Sequence, residues 1–336
     1  MRADVALDVR ATTHMSAGML QYVDALRTLL PRVAPDLRVL ELGRGDNFDA
    51  AEQLGIPLAL ARSRPRLVHF PTPFVPRIVP APTIVTVHDT IDLEFPQYAK
   101  RKVGPYWRYV VAPVLRSARA VITDDARTVE ALARFCAVDP ARVRVVALGV
   151  DSPEPLPAPA RRARPYVFYA GNHRPHKDLP TLVRAWAALP AAIELDLVLT
   201  GTENAALRAC GGRGASGELV FAGDVAPDAV WALHRGAAAY VQPALREGFG
   251  LPLLEALRAG TPVVAAAEAT PGVLRGAVET FPAGDEAALR ALLLAVLARP
   301  PGERAARAAA AHAATAHLTW ERTVRATADV YREVLR

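Results

Sequence analysis

The chain has 336 residues, 51% of them hydrophobic and 22% charged, which suits two domains of about 150–170 residues and argues against a disordered chain. Its two cysteines, Cys136 and Cys210, come without a CxxC or a neighbouring histidine cluster, which excludes a disulfide scaffold and a zinc ribbon. The net charge of +6 is divided evenly, with 20 basic and 17 acidic residues on either side of position 155, so no basic domain or tail points to a nucleic acid.

In chain order, residues 5–9 read as a strand, and residues 16–30 as a helix with Met19, Leu20, Val23, Leu26 and Leu30 at helical spacing, stopping at Pro31. Strands follow at 37–42, 67–70 and 83–87. A long helical stretch covers 102–117, then come a strand at 120–123, a helix at 125–135 and a strand at 143–146. Strands alternating with helices predict a parallel sheet with helices on both faces. Residues 151–165 (DSPEPLPAPARRARP) carry no apolar period and many prolines, and read as a linker. The alternation then restarts, with strands at 166–170, 194–199, 219–221, 238–241, 262–265 and 278–281. Helices are expected at 179–188, 205–210, 228–235 and 250–259, and from there the chain is helical to its end. The expected division is 1–150, a linker at 151–165, a second domain at 166–316, and a final helix at 317–336. Two doubly wound α/β domains facing across a cleft place the chemistry at the carboxyl ends of the strands. The opening MRADVALDVR lacks the apolar stretch of a signal peptide, and no run approaches the ~18 apolar residues of a membrane span, so a cytoplasmic chain is expected.

The most informative string is REGFGLPLLEALRAGTPVV, residues 246–264. Gly248 and Gly250 lie between a strand and the opening of a helix, where free N–H groups and the helix dipole suit an anion such as a diphosphate. Glu247 falls in that loop. Glu255 lies a turn or more into the helix, where its carboxylate could accept bonds from two adjacent hydroxyls. The spacing alone favours an ordinary loop position for Glu247 and a solvated Glu255. At the start of the second half, YAGNHRPHKDLPTLVRAW (169–186) brings a strand to its end at Gly171. A loop with Arg174 and Lys177 follows, then a helix for which Asp178 is a candidate N-cap. Cations there can neutralise charge building on a departing diphosphate. In TIVTVHDTID (83–92), His88 falls at the carboxyl end of a buried strand, a position that also suits a structural histidine, and Asp89 is placed to cap the next turn.

Taken whole, these strings resemble retaining GT-B glycosyltransferases of the glycosyltransferase family 4 type, nearly complete over the E-x7-E signature at 247–255 and continuing through GTPVV. The resemblance implies the GT-B fold. It also implies that Glu247 contacts the transferred sugar, Glu255 the ribose, and Arg174 and Lys177 the phosphates, with His88 beside the sugar and diphosphate. Gly171, Gly248, Phe249, Gly250 and Leu251 then line the nucleotide-sugar site. The loop at 10–22 (RATTHMSAGMLQY) is similar to the family's DAR…GxGRY element, with Gly18 and Tyr22 matching and Met-Leu-Gln replacing its usual residues. Two further departures are Asp124-Asp125, where the family carries a Ser-rich turn, and Pro271-Gly272-Val273, where it reads PEV.

The implied reaction is metal-independent hexosyl transfer with retention, from a nucleotide-diphosphate sugar to a glycan or lipid-linked acceptor, with no resident cofactor. The pattern is most similar to bacterial mannosyltransferases of O-antigen or exopolysaccharide assembly, which points to GDP-mannose, with UDP-sugars and dTDP-rhamnose the other options. A Rossmann oxidoreductase is disfavoured because Ala17-Gly18-Met19 supplies no G-x-G-x-x-G. A catalytically degraded GT-B partner subunit is the alternative that the departures at 124–125 and 272 suggest. Residues 98–119 interleave Lys100, Arg101, Lys102, Arg108, Arg116 and Arg119 with Tyr106, Trp107 and Tyr109, which reads either as an ordinary amphipathic helix or as a peripheral contact with an anionic membrane surface.

Overall fold

Four-residue apolar runs such as Leu67–Phe70, Thr83–Thr86 and Ala120–Thr123 are buried at every position. This is the signature of strands covered on both faces by helices. In the computed structural model, which describes residues 2–12, 15–43, 46, 51–211 and 217–336, twelve strands form two parallel sheets, the inner ones buried in this way and the edge strands partly exposed. The chain divides into two compact units, 1–149 with 318–336, and 150–317.

The first unit carries β1 (Val5–Asp8), β2 (Val39–Leu42), β3 (Leu67–Phe70), β4 (Thr83–Thr86), β5 (Ala120–Thr123) and β6 (Val143–Val145) in the order β2-β1-β3-β4-β5-β6. One part of its core joins Val68, Phe70, Val85, Val87, Val121 and Leu132 to Trp107, Val111 and Leu115 of the 103–117 helical stretch. The helix Ala17–Val33 does not end at Pro31 but runs two residues further. A proline this late disturbs only the last turn, and the Ala34 amide still reaches the Leu30 carbonyl at 2.9 Å. The stretch expected as one long helix keeps its extent but has a π-type turn at Trp107–Val111 between Val103–Tyr106 and Ala112–Ser117. A helix at Ile56–Ser63, absent from the sequence reading, follows a π-turn at Ala51–Gly55.

The last helix, Trp320–Leu335, packs along Ala17–Val33 in this unit. Its Thr319 caps it, accepting from the Arg322 amide at 3.3 Å. Tyr331 reaches the sheet interior, where its hydroxyl lies 2.6 Å from His69 Nδ1 and His69 Nε2 lies 2.8 Å from Thr86 Oγ1. Burial pushes His69 down to about 3, so the ring is neutral. Gly149 is obligatory beside this helix, because a Cβ there would sit 2.0 Å from the Thr319 carbonyl carbon.

The second unit carries β7 (Tyr166–Tyr169), β8 (Asp196–Leu199), β9 (Leu219–Phe221), β10 (Ala239–Gln242), β11 (Val263–Ala266) and β12 (Glu279–Phe281) in the order β12-β11-β10-β7-β8-β9. The first strand of this unit, β7, is flanked by β8 and by β10, so the winding reverses between β7 and β10. Such a switch point leaves a crevice beyond the carboxyl ends of the two strands, which is where open α/β sheets bind ligands. After β12 the helices Glu286–Leu297 and Pro301–Thr315 are separate, broken near Pro300 and Pro301 rather than continuous.

Replacing Tyr331 by Phe leaves His69 Nδ1 buried without its partner. We expect a loss of about 1–3 kcal/mol, read in urea unfolding as an earlier midpoint for the first unit with the second unit's transition unchanged.

Candidate active site

In the second unit the loops after β7 and β10 flank the switch point. They are stitched together by the Leu245 amide, which donates to the His176 carbonyl at 2.8 Å. The loop after β7 opens at Gly171, whose φ of 152° a side chain rarely adopts and whose missing Cβ would strike the Tyr169 hydroxyl at 2.6 Å. The Gly171 amide donates to Thr200 Oγ1 at 2.9 Å, and His173 Nε2 donates to the Thr200 carbonyl at 2.7 Å. A short 3-10 turn, Pro175–Lys177, then aims Lys177 inward while Arg174 remains exposed. His176 is buried between them, and its pKa falls to about 4 through burial first and then the charges of Lys177 and Arg174. Asp178 occupies the N-cap position of the helix Leu179–Ala187 with a left-handed φ of 47°. Its carboxyl is raised by burial, an effect that hydrogen bonding to Thr181 partly offsets.

The loop after β10 brings Glu247 to this point. Lys177 Nζ lies 2.5 Å from Glu247 Oε1, with the two side chains only 13% and 9% exposed. The same carboxylate oxygen accepts from Gln242 Nε2, and Gln242 Oε1 accepts from the Tyr240 hydroxyl at 2.9 Å. The two residues that the family resemblance assigns to different parts of the donor, Lys177 to phosphate and Glu247 to sugar, thus hold each other. Gln242, 1% exposed at the end of an apolar strand, is the member of this network that motif reading missed. The available signal was a lone amide closing the buried run AYVQ.

Gly248, Phe249, Gly250 and Leu251 are all buried. Gly250 sits at the N-cap of the helix Leu251–Arg258 with a left-handed φ of 76°, and a Cβ there would meet the Leu253 side chain at 2.9 Å. Glu255 lies within that helix, its side chain 15% exposed. His234 Nε2 lies 3.9 Å from its Oε2, and burial holds the His234 ring neutral with a pKa of about 3, so the two form no ion pair.

The first unit holds the other predicted residues. His88 follows β4 and is 6% exposed. Its Nδ1 lies 2.7 Å from Asp124 Oδ2 and its Nε2 3.1 Å from the Pro71 carbonyl oxygen, so the ends of three adjacent strands, β3, β4 and β5, meet at this ring. Tyr22 packs edge-on against it, with centroids 4.9 Å apart at 88°. Gly18 lies one turn before Tyr22 in the helix Ala17–Val33, whose cap Ser16 accepts from the Met19 amide at 3.3 Å. Residues 13 and 14 of the same loop lie outside the described residues. Asp89 caps as expected, accepting from the Ile91 amide at 3.0 Å. Arg10 is held by the fold, chelating Asp8 at 2.7–3.0 Å with Glu52 at 3.3 Å. The Asp124-Asp125 departure also has specific partners. Asp124 binds His88, and Asp125 caps the helix Ala126–Cys136 while pairing with Arg127 Nε at 2.6 Å. Of the aromatics in residues 98–119, Trp107 is buried and the Tyr106 hydroxyl accepts from the Val75 amide at 2.9 Å. Only Tyr98 and Tyr109 stand out from the surface. Among the described residues no helix is long and apolar enough to cross a membrane.

Two Rossmann-like units, with paired ionisable groups gathered beyond the carboxyl ends of the strands, define a GT-B protein. A family profile described as "Glycosyl transferases group 1" matches residues 157–312, and one described as "Glycosyltransferase Family 4" matches residues 25–154. The chain belongs to the GT-B glycosyltransferases of the family 4 type. It is 30% identical over 209 residues to a D-inositol 3-phosphate glycosyltransferase of Acidothermus cellulolyticus, covering 55% of this chain and 47% of that protein. It is 26% identical over 223 residues to O-antigen chain mannosyltransferase B of Escherichia coli, covering 61% and 58%. The chain thus spans about half the length of these relatives. In fold it is similar to a sucrose-phosphate synthase from Thermosynechococcus elongatus, with a TM-score of 0.73 and 19% identity over 99% of both chains.

Gly250→Ala forces a Cβ into the left-handed region at the head of the helix. We expect about 1–2 kcal/mol lower stability, measured by urea unfolding, together with weaker nucleotide binding in titration calorimetry.

Proposed function

We propose that the chain transfers a hexosyl group, mannose from GDP-mannose in the first instance, to a glycan or lipid-linked acceptor with retention of configuration and without a metal ion. One observation carries the reading: Lys177 and Glu247, seventy positions apart, meet at the switch point of the second sheet, beside the helix headed by Gly250. This arrangement supplies what leaving-group departure needs. When the bond between the sugar C1 and the diphosphate oxygen breaks, the electron pair stays on the diphosphate. Lys177, Arg174 and the main-chain donors at Gly250 and Leu251 neutralise it. Glu247 orients the sugar, and Glu255 accepts hydroxyl protons of the ribose. The acceptor oxygen attacks C1 on the face the diphosphate leaves, which retains configuration, and its proton passes to the departing phosphate oxygen. The likeness to O-antigen chain mannosyltransferases of Escherichia coli and Salmonella typhimurium supports mannose.

Thermal-shift screening against GDP, UDP, dTDP and their sugars tests the reading. Stabilisation by GDP-mannose is expected, and the absence of a shift with any nucleotide would favour a non-catalytic subunit. Lys177→Ala should lower turnover at least about tenfold, since one charge-assisted contact on the leaving group is lost. Glu255→Ala should instead weaken donor binding by about 1–3 kcal/mol with turnover at saturating donor largely kept. Should that substitution alter only acceptor kinetics, Glu255 has no ribose role.

A further inference from the structure

The departure at position 124 gives this chain a carboxylate directly behind His88. The ring is hemmed in on both nitrogens. The Pro71 carbonyl at 3.1 Å can only accept, so Nε2 carries a proton. An ionised Asp124 Oδ2 at 2.7 Å also only accepts, so Nδ1 carries one as well. The side chains are 8% and 1% exposed, and Asp124 Oδ1 is buried without a hydrogen-bond partner. The carboxylate therefore has no other protein hydrogen bond to rely on, and each member of the pair stabilises the charge of the other.

We propose that Asp124 is a positioning residue: with the Pro71 carbonyl it fixes both ring nitrogens of His88 and holds the ring as a cation. This rests on the donor reading above. With both N–H groups committed to the protein, His88 takes no proton from the acceptor. Its contribution is a fixed charge whose orientation is set by Asp124, Pro71 and the edge of Tyr22.

Burial raises the Asp124 carboxyl, and the His88 charge and hydrogen bond oppose that rise. Burial pulls the pKa of His88 down, but the Asp124 charge and hydrogen bond, Asp89 and the Pro71 carbonyl outweigh it, and the net shift is upward. Of the other charged or titratable neighbours, His69 is neutral, Tyr22 stays protonated, and Asp125 is paired with Arg127. A ring whose folded-state value is raised contributes stability in full below its unfolded value of about 6.5, and that contribution is lost as pH rises through the folded value.

The test is a pH titration of the full chain labelled with 15N-histidine, with His88→Gln used to assign the signal, comparing wild type, Asp124→Asn and Asp124→Ser. In the wild type, His88 should keep both ring protons to a higher pH than an ordinary histidine, whose value is about 6.5. In both variants burial is opposed only by Asp89 and the Pro71 carbonyl, and the ring should become neutral at a lower pH than in the wild type. Urea stability read on the same samples should fall with rising pH in the wild type and lose that fall in the variants. In donor kinetics the variants should lose about tenfold or more in kcat near pH 8, regain much of it toward pH 5.5 as the ring recharges, and change little in acceptor KM. Asp124→Glu should restore part of the loss at high pH. A wild-type His88 with Nδ1 unprotonated at neutral pH, or an unchanged titration in both variants, overturns the proposal. A shifted titration with an unchanged pH–rate profile overturns the role in donor use. If the wild type turns over no nucleotide sugar at all, it is the functional reading that falls, since the titration is read without any substrate.

Discussion

The controlling constraint is burial of the parallel sheets on both faces. A central strand covered by helices on either side has no solvent to offer a charge, and desolvating an ionised group there costs several kcal/mol. The central strands obey this. The one imidazole placed within such a strand, His69, is neutral and shares its two nitrogens with Tyr331 and Thr86. Ionisable residues inside strands occur at the sheet edges, as with Glu41 on β2, Arg144 on β6 and Glu279 on β12, or at strand ends, as with Asp8 and Asp196. Chemistry is thereby pushed to the turns, and the winding decides which turns have room for it.

In the second unit that room lies between β7 and β10. The two loops there have unlike tasks. The loop after β7 is shaped by backbone demands at Gly171 and carries the cations. The loop after β10 carries the carboxylate and ends in Gly250, which turns the chain into a helix whose first amides lack intrahelical partners. Gln242 links the loop to the sheet: anchored by Tyr240, it commits one oxygen of Glu247, so the carboxylate is placed before any ligand arrives. A side chain fixed by the protein loses little entropy when it engages a substrate.

The strand pattern was legible because apolar runs of four to six residues, punctuated by Gly, Pro and Asp, leave few alternatives. All twelve strands fall within two residues of where hydrophobic patterning puts them. Strand order was not legible, since local pattern says nothing about which strands pair, and so the switch point in the second unit came from the structure alone. Pro31 misled because a proline's cost depends on how many turns follow it, and here almost none do. The helix Ile56–Ser63 was missed because its IPLALARS reads as a short apolar run without a capping residue, and its N-terminus extends from a π-turn rather than from a Ser, Thr or Asp. Motif reading found Glu247, Lys177 and His88 but assigned each to a ligand. It could not reveal Glu247 as the partner of Lys177, or Asp124 as the partner of His88, because residues 70 and 36 positions apart meet only through the sheet.

The two pairings share a charge logic. Each unit holds a nearly buried cation against a nearly buried carboxylate, so neither half leaves an uncompensated charge in a low-dielectric setting. The pairs differ in what they permit. Lysine ends in a compact charge on a flexible four-carbon stem, so Lys177 can turn away from Glu247 without disturbing the fold, while Gln242 keeps its hold on the same carboxylate oxygen. His88 has no such freedom: its ring is held at both nitrogens and against Tyr22, and it keeps its charge only while Asp124 stays in place. A serine hydroxyl at 124, as the family pattern has it, could orient the ring but could not offset its charge. The aspartate here, which resembles a lost contact when read along the sequence, supplies in three dimensions the largest influence opposing burial at a histidine so deeply placed.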